Sequence, residues 1–176
     1  MIPISYIANV LAEKYNAEII GVDCAANIFH KNLKQNIKII LQKIWFLSNW
    51  NIYRSFGTRR LISPKIDKLI ILKSKKINKK LIKKITNKKH VLEISIDKIN
   101  IGDLIYDDYL RQKNCSTIDI NKDDFKNHLL GMIQIFIFWN EYVKNNIIKA
   151  CYVSHTVYRF GILSRIAIHY NIKVLN

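Results

Sequence analysis

The sequence predicts an α/β chain, and three observations carry that expectation. The opening reads as a helix followed by a short apolar strand. The closing stretch, Ala150 to Leu175, reads as strand, helix, strand. Pro (2) and Gly (5) are scarce among 176 residues, so long regular elements should dominate. An apolar fraction of 49% is enough to bury a core, and the length fits a single domain over residues 1–176.

The elements follow in order. Pro3 suits a first helical turn, and Ile4, Ile7, Ala8 and Leu11 recur at helical spacing. Ile19, Ile20 and Val22 form a short strand. Ile28 to Trp50 reads as a long helix with Leu33, Ile37, Ile40, Leu41, Ile44 and Leu47 on one stripe. "NIYRSFGTRRLISP" reads as a short helix ending near Gly57, then a basic turn carrying Arg59 and Arg60. Ile70 to Leu72 fits either a strand or the start of a helix. Lys73 to Lys89 holds nine lysines around Ile77, Leu81 and Ile85, the pattern of a basic amphipathic helix. "VLEISIDKINIGDLIYDDYLRQ" combines strand-like runs with Gly102 and a helix from Asp103. Asn121 to Asn146 is a second long helix, buried along Phe125, Leu129, Ile133, Phe136, Ile137 and Val143. Ala150–Val153, Tyr158–Tyr170 and Ile172–Leu175 then make a βαβ unit, which requires parallel strands.

The net charge is +16, and the lysine segment supplies more than half of the excess. Lysine dominates over arginine, and the segment has no aromatics to stack on bases, so no specific nucleic-acid partner is expected. An anionic membrane surface fits Lys73–Lys89 better; a merely solvated lysine face is the plain alternative. Cys24, Cys115 and Cys151 are widely separated, which argues against a disulfide framework or a zinc site. No metal is expected. No secretory leader or membrane-length apolar run is legible. A cytoplasmic setting is expected, with peripheral contact at the inner face of the membrane. Nothing matches a P-loop, a GxGxxG turn or a GxSxG elbow.

Two constellations stand out. Ser154-His155-Thr156 follows a strand and precedes a helix, where α/β proteins bind ligands and helix N-termini favour anions. His155 could act as a general base there; equally, Ser154 or Thr156 could simply cap the helix. In "IGDLIYDDYLR", Gly102 would permit a tight turn and Asp103 a helix cap. Asp103, Asp107 and Arg111 share a face, which an ordinary helix ion pair also explains. Asp107-Asp108, Tyr106 and Tyr109 crowd acid and aromatic groups together in a way suited to sugar recognition.

"INIGDLIYDDYLRQ" and "CYVSHTVYRFGILSRIAIHYNIKVL" together resemble segments of the bacterial capsular and surface polysaccharide biosynthesis proteins. The order and spacing of the two motifs agree with that family, and the resemblance extends over nearly the whole chain. Such proteins are similar to glycosyltransferases of the GT-B type, with two Rossmann-like domains about a cleft. The resemblance implies a Rossmann-like parallel sheet flanked by helices, forming the N-terminal, acceptor-side half of such an enzyme. The donor half would lie outside this chain. Gly102, Asp103, Tyr106, Asp107, Tyr109 and Arg111 match the first motif, and Ser154, His155, Thr156 and Tyr158 the second. Asp108 departs from the pattern, standing where Thr or Ser is usual. Arg159 also departs, standing where an apolar residue is expected.

The resemblance implies sugar transfer from a nucleotide-sugar donor to a glycan acceptor, including a lipid-linked one. It implies no cofactor held by this chain, and a separate donor-domain chain as partner. His155, Asp103 and Asp107 are the catalytic candidates. Ser154, Thr156, Tyr158, Gly102, Tyr106, Tyr109 and Arg111 are the substrate-binding candidates. The rival readings are a non-catalytic glycan- or partner-binding module, and a basic protein that binds membranes or nucleic acid by charge.

Overall fold

The computed structural model describes residues 2–22, 57–62, 64–153 and 155–175. It is a mixed α/β structure. The chain divides into two compact units, residues 1–64 and 65–176. The helix expected over Ile28–Trp50 lies outside the described residues, as does Ser154.

In the first unit, helix α1 (Ile2–Tyr15) leads into strand β1 (Ile19–Val22). Asn16, at φ 45°, turns the chain out of the helix, and the Ala17 N–H closes on the Ala12 carbonyl. Asparagine tolerates this left-handed conformation better than most residues. Strand β2 (Thr58–Ile62) pairs with β1 in parallel, with Ile20 opposite Arg60 and Val22 opposite Ile62. The basic turn expected after Gly57 is therefore a strand. Its partner lies some forty residues upstream, beyond the reach of a local pattern. Arg60 Nε reaches Glu18 Oε1 at 3.1 Å across the pair.

The second unit is organised by helix α5 (Asp123–Lys144). The expected stripe is buried, from Phe125 through Leu129, Ile133, Phe136 and Ile137 to Val143. His128, Met132, Ile135, Trp139 and Asn140 are buried as well, so the helix is covered on most sides. Helix α2 (Lys68–Lys84) packs against it. Asp67 caps α2 by accepting the Ile70 N–H at 2.8 Å, so Ile70 to Leu72 begin a helix rather than a strand. Helix α2 ends at Ile85, which is extended; Asn87 then caps a separate short helix, α3 (Lys88–Leu92). The lysine segment is thus two helices rather than one.

Strands β3 (Ser95–Ile96) and β4 (Ile99–Asn100) form a two-residue hairpin. Asp97 and Lys98 both have positive φ, 51° and 67°, as a turn matching strand twist requires. Asp97 is anchored by Asn140 Nδ2 at 2.9 Å, and the Asn140 carbonyl accepts from the Tyr170 hydroxyl at 3.0 Å. Helix α4 (Gly102–Lys113) follows the hairpin directly.

Strand β5 (Ala150–Tyr152), a 3-10 turn (Tyr158–Phe160), helix α6 (Gly161–His169) and strand β6 (Lys173–Leu175) close the chain. Strands β5 and β6 are parallel, with Cys151 opposite Val174. Among the described residues the strands form three two-stranded sheets, β1–β2, β3–β4 and β5–β6, and no continuous multi-stranded parallel sheet. No helix among them is long and apolar enough to cross a membrane.

Candidate functional site

Helix α4 presents two different faces. Leu104, Ile105, Asp108 and Tyr109 point inward and are buried, whereas Asp107 and Arg111 are exposed. Helical periodicity explains the split, because neighbours in sequence sit about 100° apart around the axis. Asp107 and Asp108, identical and adjacent, therefore meet opposite environments.

Gly102 is buried at the start of α4, and any Cβ there would collide with the carbonyl oxygens of Val91 and Leu92. Close packing of two backbones, rather than a tight turn, is what requires glycine here. The helix cap expected at Asp103 falls instead to Ile101, which offers no side-chain hydrogen bond. Asp103 forms a two-pronged ion pair with Arg165 of α6; Arg165 Nη1 also donates to the Asn100 carbonyl at 2.8 Å. Partial burial alone would raise the Asp103 carboxyl. Arg165 and the backbone N–H groups of Leu104 and Asp103 outweigh that and hold it below the ordinary carboxylate range. A carboxylate held in this way is a poor proton acceptor, which counts against Asp103 as a base.

Asp108 is 3% exposed and is the most heavily bonded carboxylate in the second unit. Arg159 grips it through Nε at 3.1 Å, Nη2 at 3.0 Å and the backbone N–H at 3.3 Å. Gln112, one turn on, donates to Oδ2. His128 Nε2 of α5 lies 3.5 Å from the same oxygen. Burial pushes the His128 imidazole down to about 4; Asp108 opposes this and Arg159 reinforces it. The histidine is therefore neutral near pH 7. The sequence reading counts Asp108 only among the acidic groups suited to sugar recognition, which its burial overturns, and gives Arg159, Gln112 and His128 no role. A signal was present in the sequence: Asp108 and Arg159 are charged positions where the resemblance implies Thr or Ser and an apolar residue, and His128 sits on the apolar stripe of Phe125, Leu129 and Met132.

The Asp108–Arg159 pair fixes the turn that carries the second motif. Tyr158 adopts φ 57°, uncommon for a residue with a bulky side chain. Arg159 is clamped on one side of it, and the Gly161 N–H closes on the Val157 carbonyl at 3.2 Å on the other. Gly161 is needed because a Cβ there would run into the Thr156 carbonyl. The half-buried Tyr158 ring then lies under the Arg111 guanidinium at 4.6 Å. This cation–π contact joins the two motifs at the surface. Asp107 and Arg111, which the spacing allows as an ion pair, do not pair.

His155 and Thr156 are exposed, and the His155 ring meets Phe160 edge-on at 6.3 Å. Thr156 does not cap α6. A 3-10 turn intervenes, Phe160 is the N-cap, and no side chain bonds the helix start. Of the anion site expected at Ser154–Thr156, the described residues His155 and Thr156 are thus displaced from the helix N-terminus. Tyr106 is half-buried. Tyr109 turns inward, edge-on to Phe125 at 5.6 Å and to His128 at 5.4 Å, and serves packing. The structure therefore brings Arg111 and Tyr158 together, leaves Asp107, His155 and Thr156 exposed, and commits Gly102, Asp103 and Tyr109 to the scaffold. A groove of about 510 Å³, lined by Asn87, Lys88, Lys89, Ile118, Asp119 and Ile120, contains none of these residues. No group of three His, Cys, Asp or Glu side chains among the described residues could hold a metal ion.

Comparison of the chain with protein-family models, with curated proteins and with solved structures finds no match.

Proposed function

We propose that residues 65–176 form the acceptor-side wall of a glycosyltransferase-like protein of bacterial surface-polysaccharide synthesis. The observation that carries this reading is the meeting of the two motifs. Arg111 of the first stacks on Tyr158 of the second, and Asp108 of the first locks Arg159 of the second. Segments nearly fifty residues apart converge on one surface, and the polar side chains they leave exposed are suited to a sugar. A guanidinium donates paired hydrogen bonds to hydroxyls, a carboxylate accepts them, and an aromatic ring covers apolar ring carbons. Within residues 65–176 the parallel strand–helix–strand unit β5–α6–β6 is in keeping with the Rossmann-like arrangement the resemblance implies.

On this reading the acceptor glycan, lipid-linked in the cell, lies across Asp107, Arg111, Tyr158 and His155. A nucleotide-sugar donor is supplied by a separate domain. Transfer requires the acceptor hydroxyl to lose a proton, and His155 and Asp107 are the exposed groups able to take it. Titrating the chain with fragments of bacterial surface polysaccharides tests the reading. Binding should weaken at least about tenfold in Arg111→Ala and His155→Ala, the range for lost charge-assisted bonds. Binding that both substitutions leave unchanged would refute it.

A further inference from the structure

Helix α2 carries a second surface that the glycan reading does not use. Its inner side presents Ile70 and Ser74, both buried, with Ile77 and Leu81 half-buried behind them. Its outer side follows from helical geometry: Lys68, Leu72, Lys76, Lys79 and Lys83 succeed one another at intervals of three or four, flanked by Leu69 and Lys80. All seven are exposed. Leu69 is 53% exposed and Leu72 67%, two large apolar side chains set within a lysine field. From Lys68 to Lys89 the sequence contains no Asp or Glu. Lys73, at the edge of the arc, pairs with Glu141 at 2.5 Å. Among the described residues, Lys68, Lys76, Lys79, Lys80 and Lys83 pair with no carboxylate.

We propose that this outer face docks on an anionic phospholipid surface, with Leu69 and Leu72 entering the headgroup layer and the five lysines meeting lipid phosphates. The physical logic is that of an interfacial helix, in which buried apolar area and attraction to anionic lipid act together. A solvated lysine face has no use for two exposed leucines at its N-terminal end. A nucleic-acid face would use aromatic rings or arginine forks, and the stretch from Lys68 to Lys89 holds no Phe, Trp, Tyr or Arg. The helix is anchored from behind by α5, so the face is presented already folded, without ordering a free peptide. The short helix α3, with Lys88 and Lys89, is separated from the arc by the extended Ile85. The arc therefore begins earlier and ends earlier than the lysine run in the sequence.

Co-sedimentation of the full chain with vesicles tests the proposal. Phosphatidylcholine vesicles containing one-third phosphatidylglycerol should retain it, with binding that falls as salt rises; phosphatidylcholine alone should not. Lys76→Glu, Lys79→Glu and Lys83→Glu together should weaken partitioning by at least about a hundredfold. The same change in net charge at the exposed residues Lys122, Lys149 and Lys173 should have an effect of about tenfold or less. Leu69→Ser with Leu72→Ser should weaken binding about tenfold while leaving its salt dependence unchanged. All eight positions are exposed, and thermal melts of each variant establish that the fold is kept. Equal losses from the two lysine triplets, or full binding by the leucine variant, would reduce the effect to net charge and overturn the proposal. Tighter retention on duplex DNA than on anionic vesicles would overturn it as well.

Discussion

Asp107 and Asp108 are neighbours in sequence, and the regions they belong to make the most instructive comparison in the molecule. Asp108 anchors a sealed centre with Arg159 and His128, almost closed to solvent, and the exposed Gln112 donates to it from outside. Asp107 is exposed one helical turn before Arg111, whose guanidinium lies over the half-buried Tyr158 ring. The first region sets the Asp108 carboxylate against the Arg159 guanidinium out of contact with solvent. The second keeps polar groups exposed. Charge density in a motif is thus a poor guide to function until burial is known; the inner half of the motif builds the turn that the outer half uses.

The largest effect should come from breaking the sealed centre. Arg159→Ala leaves a buried carboxylate without its main partner and should cost about 3–5 kcal/mol in chemical denaturation. Replacing both members, Asp108→Thr with Arg159→Leu, removes both buried charges together. The double variant should be within about 1 kcal/mol of the parent, because a buried ion pair often contributes little beyond an apolar replacement. A strongly positive coupling in this cycle would tie the two charged residues together as one unit.

The next effect is on pH dependence. His128 is held neutral, with its folded value near 4 against an ordinary 6.5. Between those values the unfolded chain binds more protons, so stability should fall as pH drops from 6.5 towards 4, by an order of 2–3 kcal/mol in total. His128→Gln should flatten that part of the curve. Asp103, whose value is depressed, acts in the same direction at lower pH: its stabilisation is present above the ordinary carboxylate range and is lost as pH falls through its folded value. Urea midpoints measured across this range for parent and variant separate the two.

The smallest stability effect should be on the open surface. Arg111→Ala removes one exposed cation–π contact and should cost about 0.5–1 kcal/mol, within a small shift of melting temperature. Its effect on glycan binding should be far larger than its effect on folding, and that dissociation sharpens the contrast between the regions.

The sequence made the long elements legible because they repeat a strong period. The stripe of α5 and the inner seam of α2 are read directly from apolar spacing, and the closing parallel strands from the order of their elements. What stayed hidden depends on contacts between distant segments. Strand β2 exists because β1 is there to receive it. The Asp97–Lys98 turn lacks the glycine that usually marks such hairpins, and it is secured by Asn140 from α5. The roles of the site residues were the least legible. Arg165 claims Asp103 from sixty residues away, and Tyr109 and Gly102 are consumed by packing. Local spacing places these residues on a helix face but does not say which face the rest of the chain covers.

The central claim is that the open surface receives a glycan while the sealed centre only shapes it. Backbone amide chemical shifts recorded during titration with surface-polysaccharide fragments test this most directly. The account predicts perturbations concentrated at Tyr106, Asp107, Arg111 and from His155 to Phe160, abolished by Arg111→Ala and retained in the Asp108→Thr, Arg159→Leu variant. Perturbations centred elsewhere, or undiminished in Arg111→Ala, would contradict it.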